Sequence, residues 1–136
     1  MRYWAPGPDP DLSASTHRIR MMNLHWREHG FGDWGLFERA TNELIGFAGL
    51  HHIADMEEVN IGYAIARSRW RRGYALEACR SVLEVGFRDL GLATIVAVIA
   101  PANAASRRLA RRLDLRYWKR LLWAGRDRVV YRIRAS

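Results

Sequence analysis

The spacing of apolar residues switches between two and three-to-four along this chain, and each switch marks a change of element. Pro6, Pro8 and Pro10 set an irregular lead-in apart from Leu12 to His29, where Ile19, Met22 and Trp26 recur at helical spacing. Asp11 or Ser13 can cap that helix and Gly30 can end it. Trp34 to Ala40 and Leu44 to Leu50 flank the polar turn Thr41-Asn-Glu, the layout of a β-hairpin. After an acidic connection, Asp55 to Glu58, the residues Val59, Ile61, Tyr63 and Ile65 alternate with smaller ones and predict another antiparallel strand.

From Gly73 the period lengthens. Ala75, Cys79, Val82, Leu83, Gly86, Phe87 and Leu90 share one helical face, while Glu77, Arg80, Glu84 and Arg88 fall elsewhere. Gly91 ends this helix, and Ala93 to Ala100 is apolar on both faces, as a strand in the interior of a sheet must be. Asn103 caps a helix running to about Leu113, and Arg116 to Trp123 meets Arg128 to Arg134 across Ala124-Gly125 as a closing hairpin. The order α, β, β, β, α, β, α, β, β is a mixed α/β layout in which antiparallel hairpins flank one βαβ crossover. No repeat or linker divides it, so a single domain over residues 1–136 is expected.

Composition changes this picture little: 49% hydrophobic and 26% charged residues are ordinary for a globular domain. A chain of 136 residues hides roughly two-thirds of its unfolded surface, so the core needs no staples. None is on offer, because Cys79 is the one cysteine. The first residues, Met-Arg-Tyr-Trp-Ala-Pro-Gly-Pro, match neither a signal peptide nor a transit peptide, and a cytoplasmic location is expected. Ala93 to Ala100 is less than half of the ~20 apolar residues that a membrane-spanning helix needs. Charge changes more: the net value is +8, and all but Lys119 of the 22 basic residues are arginine, the side chain best shaped for phosphate. An anionic ligand accounts for that excess, and so does a general preference for arginine over lysine.

The segment Ser68-Arg-Trp-Arg-Arg-Gly-Tyr-Ala-Leu-Glu-Ala lies between a strand and an amphipathic helix. Gly73 lets a ligand approach the backbone, and the N–H groups of Arg72 to Ala75 converge at the positive end of the helix dipole. With Arg71 and Arg72 beside it, this is a cradle for phosphate or pyrophosphate. The plainer alternative is a tight turn relieved by Gly73, with solvated arginines.

Trp70, Gly73, Tyr74, Ala75, Glu77 and Ala78 resemble the Trp-x-x-Gly-Tyr-Ala-x-Glu-Ala form of the acyl-CoA pyrophosphate loop in the GNAT superfamily, specifically its RimJ/RimL-type N-acetyltransferases. Asn103, Ser106, Arg108 and Leu113 are similar to that family's Asn-x-x-Ser-x-Arg helix, with Asp114-Leu115 in place of the usual Gly-Phe. Ile61 to Ile65 looks like its fourth strand and Leu44 to Leu50 like its third, so the likeness covers about residues 31 to 134. The resemblance implies a mainly antiparallel sheet with flanking helices, splayed between the fourth and fifth strands. Its first strand is expected to be missing, which leaves an edge open to a second copy of the chain or to another protein.

What the resemblance implies for chemistry is acetyl transfer from acetyl-CoA to a primary amine, either a protein N-terminus or a small molecule. The pantetheine arm would take backbone hydrogen bonds from Tyr63, Ala64, Ile65 and Ala66, and the phosphates would lie on Arg71, Arg72, Gly73, Tyr74 and Ala75, with Asn103 and Arg108 nearby. Ser106 is the expected proton donor to the departing thiolate. Glu58 is the expected base, acting through a water that Asn60 helps to hold; a surface carboxylate paired with an arginine is its alternative.

His51 and His52 are adjacent in a strand and so point to opposite faces; no metal is expected there, although one of them can serve as an alternative base. Cys79 reads as packing. Arg107, Arg111 and Arg112 read as solvated. A rival function, a non-catalytic module that binds CoA, nucleic acid or a partner through its basic face, meets too little aromatic interleaving around Trp118 to resemble a single-strand platform. No nucleic acid or membrane partner is expected.

Overall fold

The computed structural model describes the backbone of Arg2–Trp4 together with residues 30–53 and 56–136. Its strands are β1 (Arg2–Trp4), β2 (Asp33–Phe37), β3 (Leu44–His52), β4 (Val59–Ile65), β5 (Thr94–Ile99), β6 (Arg116–Trp123) and β7 (Arg126–Arg134). Helix α1 spans Tyr74–Glu84 and continues as a π-helical turn over Val85–Asp89; helix α2 spans Ala104–Arg112. The strands form one sheet in the order β1-β2-β3-β4-β5-β7-β6. Among the described strands only β4 and β5 pair in parallel. The helix expected over Leu12 to His29 lies outside the described residues.

The edge differs from the sequence reading. Where a first strand was expected to be missing, Arg2–Trp4 pairs antiparallel with Gly35 to Phe37, so the edge carries a short strand. Such pairing rests on backbone groups and leaves little trace in a three-residue pattern.

Elsewhere the patterns hold to within a few residues. Ala124 and Gly125, both at positive φ, turn β6 into β7 as a right-twisting hairpin requires. Both helices pack on one face of the sheet, over a core that includes Leu36, Leu50, Ile61, Val82, Leu83 and Ile95. At Gly86 the π-helical turn lies tight against that sheet, since a Cβ there would lie 2.7 Å from Ile95 Cδ1. Asp114 takes over the turn that a glycine usually makes after α2. It adopts φ 69, and Leu115 beyond it is buried and donates its N–H to Ala110 O.

Candidate active site

The sheet parts where β4 meets β5. Their parallel pairing covers only Val59↔Ile95 and Asn60↔Val96, after which β5 continues on β7 and β4 on β3. Asn60 stands at the fork: its Oδ1 accepts the Val98 N–H at 3.0 Å, replacing the ladder bond that the diverging strand no longer supplies. The Asn60 side-chain carbonyl is a strut between the strands, a role the sequence reading did not foresee.

Beyond the fork, hydrogen-bond alternation decides which backbone groups face the opening. Ala66 donates to Ile45 O on β3, so the polar groups of Ala64 and Ala66 point into the β3 ladder and those of Tyr63 and Ile65 point toward the gap. The Ile65 carbonyl is already taken by Trp70 Nε1 at 2.7 Å. Of the four residues expected to line a pantetheine arm, Ala64 and Ala66 are therefore excluded as backbone partners. Tyr63 and the Ile65 N–H remain.

A cavity of about 140 Å³ opens in the gap, lined by Gly62 and Tyr63 of β4, Ala97 and Val98 of β5, and Ser106 of α2. Asn103 caps α2 by accepting the Ser106 N–H at 3.1 Å, which sets Ser106 in the first turn with its hydroxyl toward the gap. Through this cap Asn103 positions Ser106. Ser106 Oγ lies 3.1 Å from Tyr63 OH. Burial raises the Tyr63 phenol above its ordinary value, against a smaller opposing effect of the Ser106 hydrogen bond, so the pair keeps its protons at neutral pH. Cys79 of α1 reaches the same cavity, where burial pushes its thiol up to about 12 and leaves it a packing group.

The second half of the site is the segment from Arg67 to Ala75. After the 3-10 turn Arg67–Arg69, Arg71 adopts φ 63 and Gly73 φ 78. Two left-handed residues around Arg72 bend the chain so that neighbouring N–H groups converge, the geometry of an anion nest. Gly73 is the N-cap of α1 and supplies no side chain to satisfy the first-turn donors of Tyr74 and Ala75. A Cβ at Gly73 would meet nothing within 4 Å, so the cradle is open on that side.

The arginines divide. Arg71 is exposed, whereas Arg72 Nη1 turns back to Glu38 Oε2 at 3.4 Å. Glu38 closes β2, is only 4% exposed, and also accepts Thr41 Oγ1 at 2.9 Å, Arg69 Nε at 3.2 Å and Tyr74 OH at 2.7 Å. The Tyr74 hydrogen bond foremost, then those of Thr41 and Arg69, hold the Glu38 carboxyl below its ordinary range, and the same bond raises the Tyr74 phenol. Arg69 reaches on to Glu43 Oε2 at 2.9 Å, tying the loop to both ends of the β2–β3 turn.

On α2, Arg108 is exposed, while Arg107 is tied to Tyr131 OH and Pro101 O, a structural role unlike the solvated one expected. On the opposite sheet face, His51 pairs with Asn60 in register, and its Nε2 lies 2.8 Å from Asp33 Oδ1. Glu58, half-buried, sits one residue before β4. Among the described residues no group of three or more His, Cys, Asp or Glu could hold a metal ion, and no helix is long and apolar enough to cross a membrane.

Two features escaped sequence reasoning. The Tyr63 hydroxyl acts at a distance of 43 residues from its partner, and its sequence position suggests only an inward strand residue. Glu38 finds its loop donors 31 to 36 residues away, and its only local signal is an acid closing an apolar run.

The sheet is thus split between its fourth and fifth strands, and a left-handed bend leading into a helix follows the fourth. The family model described as an acetyltransferase (GNAT) domain matches residues 1–116. The chain belongs to the GNAT acetyltransferase family. It is 42% identical over 109 residues to the uncharacterized N-acetyltransferase YoaA of Bacillus subtilis (strain 168), covering 79% of this chain and 62% of that one. It is 33% identical over 135 residues to the uncharacterized protein YkkB of the same organism, covering 90% and 78%. Among solved structures, an acetyltransferase from Agrobacterium tumefaciens str. C58 superposes with a TM-score of 0.72 at 26% identity, covering 88% of this chain and 72% of that one. Mycobacterium smegmatis RimJ in complex with CoA-disulfide shares the fold, with a TM-score of 0.77 at 20% identity and coverage of 96% and 70%.

Proposed function

We propose that this protein is an N-acetyltransferase that moves an acetyl group from acetyl-CoA to a primary amine, on a peptide N-terminus or on a small molecule. The observation that carries this reading is the Ser106–Tyr63 hydroxyl pair at the gap between β4 and β5, where the backbone edge of Tyr63 and Ile65 is turned toward the opening. An extended pantetheine arm fits such an edge as an added strand, and the nest at Arg71 to Ala75 fits its pyrophosphate. In the reaction, the amine nitrogen bonds to the thioester carbon and the carbon–sulfur bond breaks. Ser106 gives its proton to the departing thiolate, and Tyr63 resupplies Ser106 through their hydrogen bond. A main-chain N–H on the gap edge of β4 steadies the carbonyl oxygen as charge develops on it.

The amine must lose a proton. Glu58 is the first candidate to take it. His51, aligned by Asp33 and on the same face as Asn60, is the second. Screening peptide N-termini and small amines with acetyl-CoA while detecting free thiol tests the reading, and Glu58→Gln beside His51→Ala shows which base is used. Tight CoA binding with no thiol released from any amine would favour the non-catalytic module instead.

A further inference from the structure

Glu38 is the one buried charged side chain among the described residues, and it lies outside every motif that marks the site. Three of its four donors, Arg69, Arg72 and Tyr74, come from the segment that contains the anion nest. We infer that Glu38 is a positioning residue for the acyl-CoA pyrophosphate: it holds Arg69 to Tyr74 in the bent shape whose backbone N–H groups receive the phosphates. This inference rests on the acetyl-CoA reading given above.

The physical need is plain in the backbone. Arg71 is a non-glycine residue in the left-handed region, and such strain persists only where the surroundings over-determine it. Glu38 supplies that determination from outside the loop, through Arg69 before the bend and Tyr74 after it. It leaves the first-turn N–H groups of α1 alone, taking the Tyr74 hydroxyl instead, so those donors stay available to a ligand. Arg72 makes the longest of its contacts, 3.4 Å, from a side chain that is 53% exposed. Arg72 can therefore swing to a phosphate while Arg69, Tyr74 and Thr41 keep the buried carboxylate satisfied.

Simple charge counting predicts the opposite of this inference. Removing a carboxylate next to a phosphate site should strengthen phosphate binding, whereas removing a positioning residue should weaken it. The test is Glu38→Gln, which keeps the shape of the side chain and loses the charge that gathers the arginines and the phenol. Calorimetry should show CoA binding weakened about tenfold, on the order of one charge-assisted hydrogen bond, with pantetheine binding unchanged. KM for acetyl-CoA should rise by a similar factor while kcat stays within about twofold. Should Glu38→Gln fail to fold, Tyr74→Phe keeps three of the donors and should weaken CoA but not pantetheine by about threefold, less than Glu38→Gln because the carboxylate and its other donors remain.

CoA binding equal to or tighter than wild type in a folded Glu38→Gln or Tyr74→Phe protein overturns the inference and leaves the acetyl-CoA reading standing. Equal loss of pantetheine and CoA also overturns it, since that marks general destabilisation. Wild-type protein that binds no CoA removes both.

Discussion

The two halves of the site are built by opposite means. The β4–β5 gap exists because contacts are left out: parallel pairing stops after Asn60↔Val96, one asparagine satisfies the stranded Val98 N–H, and the cavity walls are mostly apolar. The loop from Arg67 to Ala75 exists because contacts are concentrated: one buried carboxylate gathers four donors around a strained backbone. An opening for a long neutral arm must stay unfilled, whereas a receptor for a highly charged group must be rigid and already aligned.

The largest effect concerns dryness in the gap. With its thiol raised from 9.0 to about 12, Cys79 should react with iodoacetamide at pH 8 about a thousandfold more slowly in the native protein than after unfolding. Equal rates by mass spectrometry would mean the gap is wet. Next comes its chemistry: Ser106→Ala should lower turnover about 100-fold while Asn103 still caps α2 and CoA affinity stays near wild type. Retention of full turnover in a thiol-release assay would remove Ser106 as the donor.

For the loop, CoA at one hundred times its dissociation constant should add about 2.7 kcal/mol to wild-type stability. Gly73→Val should lose most of that, because a branched side chain both resists φ 78 and blocks the approach of an anion. An unchanged thermal shift would mean that the nest is not the phosphate receptor. Back in the gap, Asn60→Leu strands the Val98 N–H and should cost about 1–3 kcal/mol in chemical denaturation. A neutral result would show that water replaces the strut.

The smallest effect is set by pH. Because the Glu38 carboxyl is depressed in the fold, its contribution to stability is present above the ordinary carboxylate range and is lost as pH falls through its folded value. The difference in Tm between wild type and Glu38→Gln should therefore shrink on acidification from neutral pH. A gap that widens in acid would contradict the depressed carboxyl.

What could be read in advance follows the same division. Gly73, Tyr74 and Ala75 were legible because the nest is local: a left-handed glycine and a helix start declare themselves within a few positions. Asn103 and Ser106 were legible as a cap and its third residue, and the cap bond between them fixes where Ser106 sits. The choice between Ala64 or Ala66 and Tyr63 or Ile65 was not legible, because it depends on which edge of β4 bonds to β3, and one step of register reverses the answer.

By itself, then, the sequence determined the elements from β2 onward, their order, the glycine turn into α1 and the family, all of which rest on periodicities and backbone preferences acting over a few residues. Only the tertiary structure decided where β4 and β5 part, that Asn60 bridges the fork, that Tyr63 meets Ser106, and that Glu38 holds the loop. Those partners stand 31 to 43 residues apart, and only the pairing of strands and the packing of helices on the sheet bring them within hydrogen-bond reach.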